Sequence, residues 1–221
     1  RDILIKEKRS EIFYLSEKSL HSAQELLESV IAILKNNSRY KIYPDRIQRP
    51  DKKIIFLKED NPIIIAGRLI QEDLLILHWD NNFQEHILEG GILCFPALWT
   101  LNEKINKPLS RIHKPVEQYN EKITKSVQRM FNNLKVDKPI WRANWYLYKD
   151  PELFSPLSEK FSHTTEKKYF EGDFWLRVER QTLKRLPETN AIIFGIHTYV
   201  VNKKQLTLKQ ITSLKNYSLN K

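Results

Sequence analysis

The chain has 221 residues, with 37 Lys and Arg against 27 Asp and Glu, a formal charge of +10 and one cysteine, Cys94. That length allows roughly 70% of the unfolded surface to be buried without disulfides or structural metal, and the lone thiol excludes an intrachain disulfide, a four-cysteine zinc site or a cysteine-held iron–sulfur cluster supplied by this chain alone. A reducing, cytoplasmic compartment is expected, the missing apolar run of about 18 residues argues against a membrane span, and scattered basic residues interrupted by acids argue against a nucleic-acid surface.

Residues 3 to 35 read as helical, most firmly where Leu20, Ala23, Leu27, Val30, Ile31 and Leu34 keep 3,4 spacing behind a Ser22…Glu25 capping box. A polar, Pro-containing segment follows, with a short strand at Ile54 to Leu57 and a helix start at Asn61-Pro62, Asn61 acting as cap. Leu74 to Trp79 and His86 to Phe95 are apolar runs separated by Asp80-Asn81-Asn82, which is hairpin turn chemistry. Residues 116 to 135 show the clearest helical stripe, through Val116, Tyr119, Ile123, Val127, Met130, Phe131 and Leu134.

Ile140 to Tyr148 alternates Trp141, Ala143, Trp145 and Leu147 against Arg142, Asn144, Tyr146 and Tyr148. A Ser/Thr/Lys-rich loop at 156 to 168, strands at 174 to 181 and at Ala191 to Val201, and a last helix capped by Thr207…Gln210 complete the chain. Five core strands with short turns predict an α+β fold with an antiparallel sheet rather than a doubly wound parallel one. A single domain over 1–221 is expected, divided into an N-terminal helical region (1–36), a sheet core (54–201) and a C-terminal helix (205–217).

With 5 Gly and no GxGxxG or GxxxxGK[ST], the chain lacks the usual backbone cradles for nucleotide phosphates. The strand at 174 to 181 places Phe174, Leu176 and Val178 on one face and Trp175, Arg177, Glu179 and Gln181 on the other. That polar face is either an exposed one with a cross-strand ion pair, or a covered one whose polar groups must be paired or hold a ligand. His113 precedes a helix in Ile112-His113-Lys114-Pro115, where Pro115 stiffens the backbone. It reads either as a cap or surface residue or as the rigid single imidazole an axial haem ligand requires. His197 lies mid-strand opposite Ile196, beside Gly195, which permits a close approach; a pocket-lining or hydrogen-bonded role suits it better than metal ligation. Cys94, among Ile92, Leu93 and Phe95, reads as an inert core residue rather than a haem thiolate.

Several ordered segments resemble one family, the haem-dependent oxidative N-demethylase alpha-subunit-like proteins. They are Leu69 to Leu74, Cys94-Phe95-Pro96-Ala97-Leu98-Trp99 with Lys104, Ile112 to Val116 with Tyr119, Trp141-Arg142-Ala143-Asn144-Trp145, Leu176 to Pro187, and Phe194-Gly195-Ile196-His197-Thr198-Tyr199. The resemblance implies a PAS-like antiparallel five-stranded sheet with flanking helices, binding haem b and its iron. It also implies a monooxygenase acting on a small methylated amine, dimethylamine-like, with O2, releasing formaldehyde and receiving electrons from a separate reductase subunit. His113 is then the iron ligand, Arg177 and Glu179 the catalytic candidates, and Arg142, Asn144, Arg180 and His197 the cofactor contacts. The family commonly has Arg where His197 stands and Gly where Asn106 stands, and the first of these departures bears on the substrate. The alternative reading is a non-catalytic haem-binding PAS-like sensor of gas or redox state; a nucleic-acid or protein-binding domain without cofactor is the third.

Overall fold

A computed structural model describes residues 1–114, 121–160 and 172–219. Chain order begins with α1 (Asp2–Glu7), α2 (Arg9–Ile12), β1 (Phe13–Leu15), α3 (Leu20–Leu34), β2 (Lys41–Ile42), β3 (Arg46–Gln48), β4 (Ile54–Phe56), α4 (Pro62–Leu69), β5 (Asp73–Asp80) and β6 (Glu85–Ile92). The single turns α5 (Leu101–Lys104) and α6 (Leu109–Ile112) follow, then α7 (Glu121–Asn132), β7 (Ile140–Tyr148), β8 (Trp175–Arg185), β9 (Ile192–Asn202) and α8 (Leu208–Leu219). Asn61 caps α4 through Ile63 N, and Thr207 and Gln210 cap α8 reciprocally, as their residue types predict. At the β5–β6 turn, Asp80 Oδ1 accepts from the backbone N–H groups of Asn82 (2.8 Å) and Phe83 (3.0 Å).

The main sheet is antiparallel, in the order β1-β6-β5-β9-β8-β7, and β2-β3-β4 form a separate three-stranded sheet. The expected five-stranded PAS-like sheet is therefore corrected to six strands plus three. The additional strand, β1, comes from inside the run read as helical. Its three residues are too short for alternation to stand out, and they pair with Gly90, Gly91 and Ile92 of β6. A Cβ at Gly90 would stand 2.5 Å from Leu15 Cδ1, and one at Gly91 would stand 2.5 Å from Leu75 Cδ2. The bare backbone there lets β1 and its neighbours close over β6.

Each face of the sheet packs on its own helices. One core joins Leu74, Ile76, Ile92 and Ile193 to α3 and α4 through Leu26, Leu27, Val30 and Ile64. The other joins Leu75, Leu77, Ile192 and Ile196 to α5, α6 and α7 through Leu101, Leu109 and Phe131. Arg185 of β8 secures the end of α7, its guanidinium donating to the carbonyls of Leu134 (2.7 Å) and Phe131 (2.7 Å). The helix expected at 116 to 135 is described from Glu121 to Asn132; Pro115, Val116, Glu117 and Tyr119 lie outside the described residues, as do 161 to 168 of the polar loop.

The Ser22…Glu25 capping box does not form, because α3 starts two residues earlier and both side chains lie on its buried face. Ser22 Oγ meets His78 Nε2 at 2.9 Å, while Glu25 accepts from Glu188 N (2.7 Å), Thr189 N (2.9 Å) and Thr189 Oγ1 (2.6 Å) across the β8–β9 turn. Burial opposes the ionised form of Glu25, but these hydrogen bonds prevail and its pKa is lowered. A carboxyl with a depressed folded-state pKa stabilises above its ordinary range, and that contribution is lost as pH falls through the folded value. Glu25→Gln is accordingly expected to lose about 1–3 kcal/mol at neutral pH, with a smaller difference from the parent near pH 3, measured by urea unfolding at both pH values.

Candidate functional site

The pleat sorts the site residues. Register places Arg142, Asn144 and Tyr146 of β7 opposite Gln181, Glu179 and Arg177 of β8, and Thr198 and Val200 of β9 opposite Glu179 and Arg177. Direct cross-strand partners share a face, here the face that α5, α6 and α7 cover further along the sheet. The exposed-edge reading of 174 to 181 is thus overturned: Arg177 is 1% exposed, Glu179 5% and Gln181 9%. On β7 neither series is closed off, Trp141 being 65% and Tyr146 43% exposed. Tertiary covering, not side-chain polarity, decided which face points inward.

A chain of side-chain contacts runs along this floor. Arg142 Nε donates to Gln181 Oε1 at 2.8 Å, Gln181 Nε2 donates to Glu179 Oε2 at 3.1 Å, and Glu179 Oε1 lies 3.7 Å from Arg177 Nε. Arg177 also donates from Nη1 to Leu153 O (3.1 Å) and from Nη2 to Phe95 O (2.5 Å). It thereby ties the segment after β7 and the segment after β6 to the sheet. Burial raises the Glu179 pKa against the lowering influence of Gln181 and Arg177, and burial pushes the Tyr148 hydroxyl up to about 12.

Three buried polar atoms among the described residues have no hydrogen-bond partner: Tyr148 Oη, Arg177 Nε and Thr198 Oγ1. Thr198 faces Glu179 directly, and the Arg177 guanidinium lies 5.6 Å from the centre of the Tyr148 ring. Two of these unmet atoms, on Arg177 and Thr198, belong to neighbours of the buried Glu179 carboxyl, and an unmet buried polar atom is one that a ligand or an ordered water can satisfy. Tyr148 and Thr198 were not among the residues singled out from sequence, although Tyr148 was already placed on the polar side of β7.

His113 closes α6. Its Nδ1 donates to Leu109 O at 2.9 Å, so the neutral ring is the tautomer whose lone pair resides on Nε2. Burial is the main cause that lowers its pKa, with the charges of Lys104 and Arg142 acting in the same direction. Helix α6 packs on this same face of the sheet through Leu109 and Ile112. A neutral imidazole, its other nitrogen hydrogen-bonded to a carbonyl, has the donor chemistry of a single axial ligand. Among the described residues no group of three or more His, Cys, Asp or Glu converges to hold a metal ion by itself.

Register brings Arg142, Asn144, Arg177 and Glu179 to one face of the sheet, and His113 stands at the end of α6, which packs on that face. Arg180 and His197 fall elsewhere: they are register partners on the opposite face, where Arg180 lies over Trp141 and His197 pairs with Glu72 at 3.1 Å and stacks on Tyr199. Both lie on the face of the sheet away from α6. No heavy atom stands within 4 Å of where a Gly195 Cβ would be, so the close approach expected there is not made. Grooves of about 450 Å³, beside Phe83, Gln128 and Arg129, and about 470 Å³, beside His78, Trp79 and Arg185, open away from Glu179 at the β5–β6 hairpin end.

Cys94 has the inert role expected of it: it is fully buried, and burial pushes its thiol up to about 11. Iodoacetamide is expected to leave it unlabelled in native protein at pH 8 and to modify it in denaturant, read by intact mass. Native labelling within minutes would contradict this burial.

A family model described as "haem-dependent oxidative N-demethylase, alpha subunit-like" matches residues 1–215, and the chain belongs to that family. No helix among the described residues is long and apolar enough to cross a membrane.

Proposed function

We propose that this chain is a haem-binding subunit that oxidises the N-methyl group of a small, dimethylamine-like amine, with formaldehyde as a product. The observation that carries the reading is the carbonyl-anchored His113 at the end of a helix that packs on the sheet face holding the buried Glu179 carboxyl. Bound haem b would supply iron at which O2 is reduced, with electrons from a separate reductase subunit.

The chain's own residues then divide the work. His113 holds the iron through Nε2. Arg142, whose Nε is fixed by Gln181, leaves its terminal nitrogens to pair with a propionate carboxylate, and Asn144 offers an amide beside it. Glu179 holds or accepts a proton at its carboxyl, burial having raised its pKa above the ordinary carboxylate range in favour of the protonated form. Arg177 fixes the carboxyl and the surrounding backbone, while Tyr148 and Thr198 present hydroxyls to the substrate's polar end.

The test is haem titration of purified protein followed by turnover with dimethylamine, O2 and a chemical or enzymatic electron donor. A Soret band at one haem per chain and stoichiometric formaldehyde support the reading. A Soret band without formaldehyde from any methylated amine would favour the sensor, and no band after supplementation would end both.

A further inference from the structure

Lys104 is the last residue of α5, and its side chain is 8% exposed. Its ammonium donates to two acceptors that belong to different parts of the chain. One is Ile112 O, at 2.8 Å, the carbonyl immediately before His113. The other is Glu159 Oε1, at 2.6 Å. Glu159 is held in turn by Arg111 of α6, at 3.2 Å, and its backbone N–H donates to Glu103 of α5, which also accepts from Ser158 Oγ at 2.6 Å. The segment carrying Glu159 is anchored further back by the Ala97↔Ser155 bridge and by Arg177 on Leu153 O.

These contacts meet at one short element. Helix α6 has four residues, too few to fix its own last turn by helical hydrogen bonds alone. Besides the backbone bonds of His113 N to Leu109 O and Lys114 N to Arg111 O, two side-chain contacts bear on how its end is presented: His113 Nδ1 to Leu109 O within the turn, and Lys104 Nζ to Ile112 O from outside it. The second is charge-assisted and buried, hence both strong and sensitive to geometry. Without the ammonium, Ile112 O would lose a donor and Glu159 its buried partner, leaving the more exposed Arg111 to join the 155–160 segment to the His113 turn.

We propose that Lys104 is a positioning residue for His113, locking the orientation of the imidazole by clamping the end of α6 to the Glu159 segment. This rests on the haem reading above and extends it from the ligand to the group that aims it. A partner of this kind acts on a metal ligand through its orientation, and altering one typically changes affinity 10- to 100-fold.

The experiment uses the full chain reconstituted with haem. The iron–histidine stretching band of the ferrous protein is recorded by resonance Raman spectroscopy, haem loss is timed by transfer to apomyoglobin, and thermal melting monitors folding. Lys104→Met is expected to shift or broaden the band and to speed haem loss on the order of tenfold at temperatures well below its melting point. Lys104→Arg, which keeps charge and donors, is expected to restore most of both. A Lys104→Met protein that is folded and has the parental band and loss rate overturns the proposal. If that variant does not fold, Glu159→Gln decides: a broadened band supports the clamp, and an unchanged band overturns it. His113→Ala separates the two levels, because an iron–histidine band that survives it would overturn the haem reading itself, whatever Lys104 does.

Discussion

Replacement of His113 by Ala is expected to reduce haem affinity by more than about 100-fold, beyond the 10- to 100-fold typical of changes outside the ligand itself. Three of the other imidazoles are committed elsewhere. His78 lies between Glu89 and Ser22, with contacts of 2.9 Å to each, against α3 on the other side of the sheet. His86 is buried and held by Gln128 at 2.8 Å. His197 points away from the Arg177–Glu179 floor and pairs with Glu72. None of these three has the place or the freedom to replace a ligand at the end of α6. The measurement is haem titration followed at the Soret band, with pyridine haemochrome quantitation. His197→Ala serves as the internal control and is expected to retain the parental haem stoichiometry. Loss of haem in His197→Ala with retention in His113→Ala would reverse the assignment and require a site on the opposite face.

Arg177→Ala is expected to have the largest effect on stability, about 3–5 kcal/mol. The guanidinium is almost wholly buried and bonds Leu153 O, Phe95 O and, at a longer distance, the Glu179 carboxylate. Truncation leaves two carbonyls without these donors and the Glu179 carboxyl without its ion-pair partner in a place water reaches poorly, and unmet buried acceptors cost more than the bonds themselves contributed. For a chain of this size the melting temperature should fall by roughly 10 °C, at about 2–4 °C per kcal/mol. Arg177→Lys should recover only part of that loss, because an ammonium cannot reproduce the two-pronged fork that reaches both carbonyls. A melting temperature within a degree or two of the parent for Arg177→Ala would mean that the segments after β6 and β7 hold without it. Both variants also separate architecture from chemistry, since Arg177 was read from sequence as catalytic while most of its donors serve backbone carbonyls.

The clearest local signals had local physical causes. Asn61-Pro62, Thr207…Gln210 and Asp80-Asn81-Asn82 declared themselves because the hydrogen bonds that make a cap or a tight turn are completed within a few residues. The five long strands were legible for the same reason, since alternation is a property of consecutive residues. Strand β1 was not, because three residues cannot establish a period and its partner is the Gly90-Gly91 backbone more than seventy residues away. The Ser22…Glu25 pair shows the opposite failure, a valid local pattern overridden when long-range partners, His78 and the 188–189 turn, took up both side chains.

The candidate site divides along the same line. Sequence by itself determined the residue types and their order: a histidine ahead of Pro115, an Arg-x-Glu-x-Gln series on one strand and an Arg-x-Asn-x-Tyr series on another, together with the resemblance that links them. It also determined that Arg177 and Glu179 must share a face, as a two-residue repeat requires. Only the tertiary structure decided that this face is covered, that Thr198 rather than its neighbour His197 joins it, and that Lys104 reaches the carbonyl before His113. The physical reason is that alternation fixes which side chains lie together but not which side is inward, a choice made by the helices and segments that pack across the sheet from distant parts of the chain.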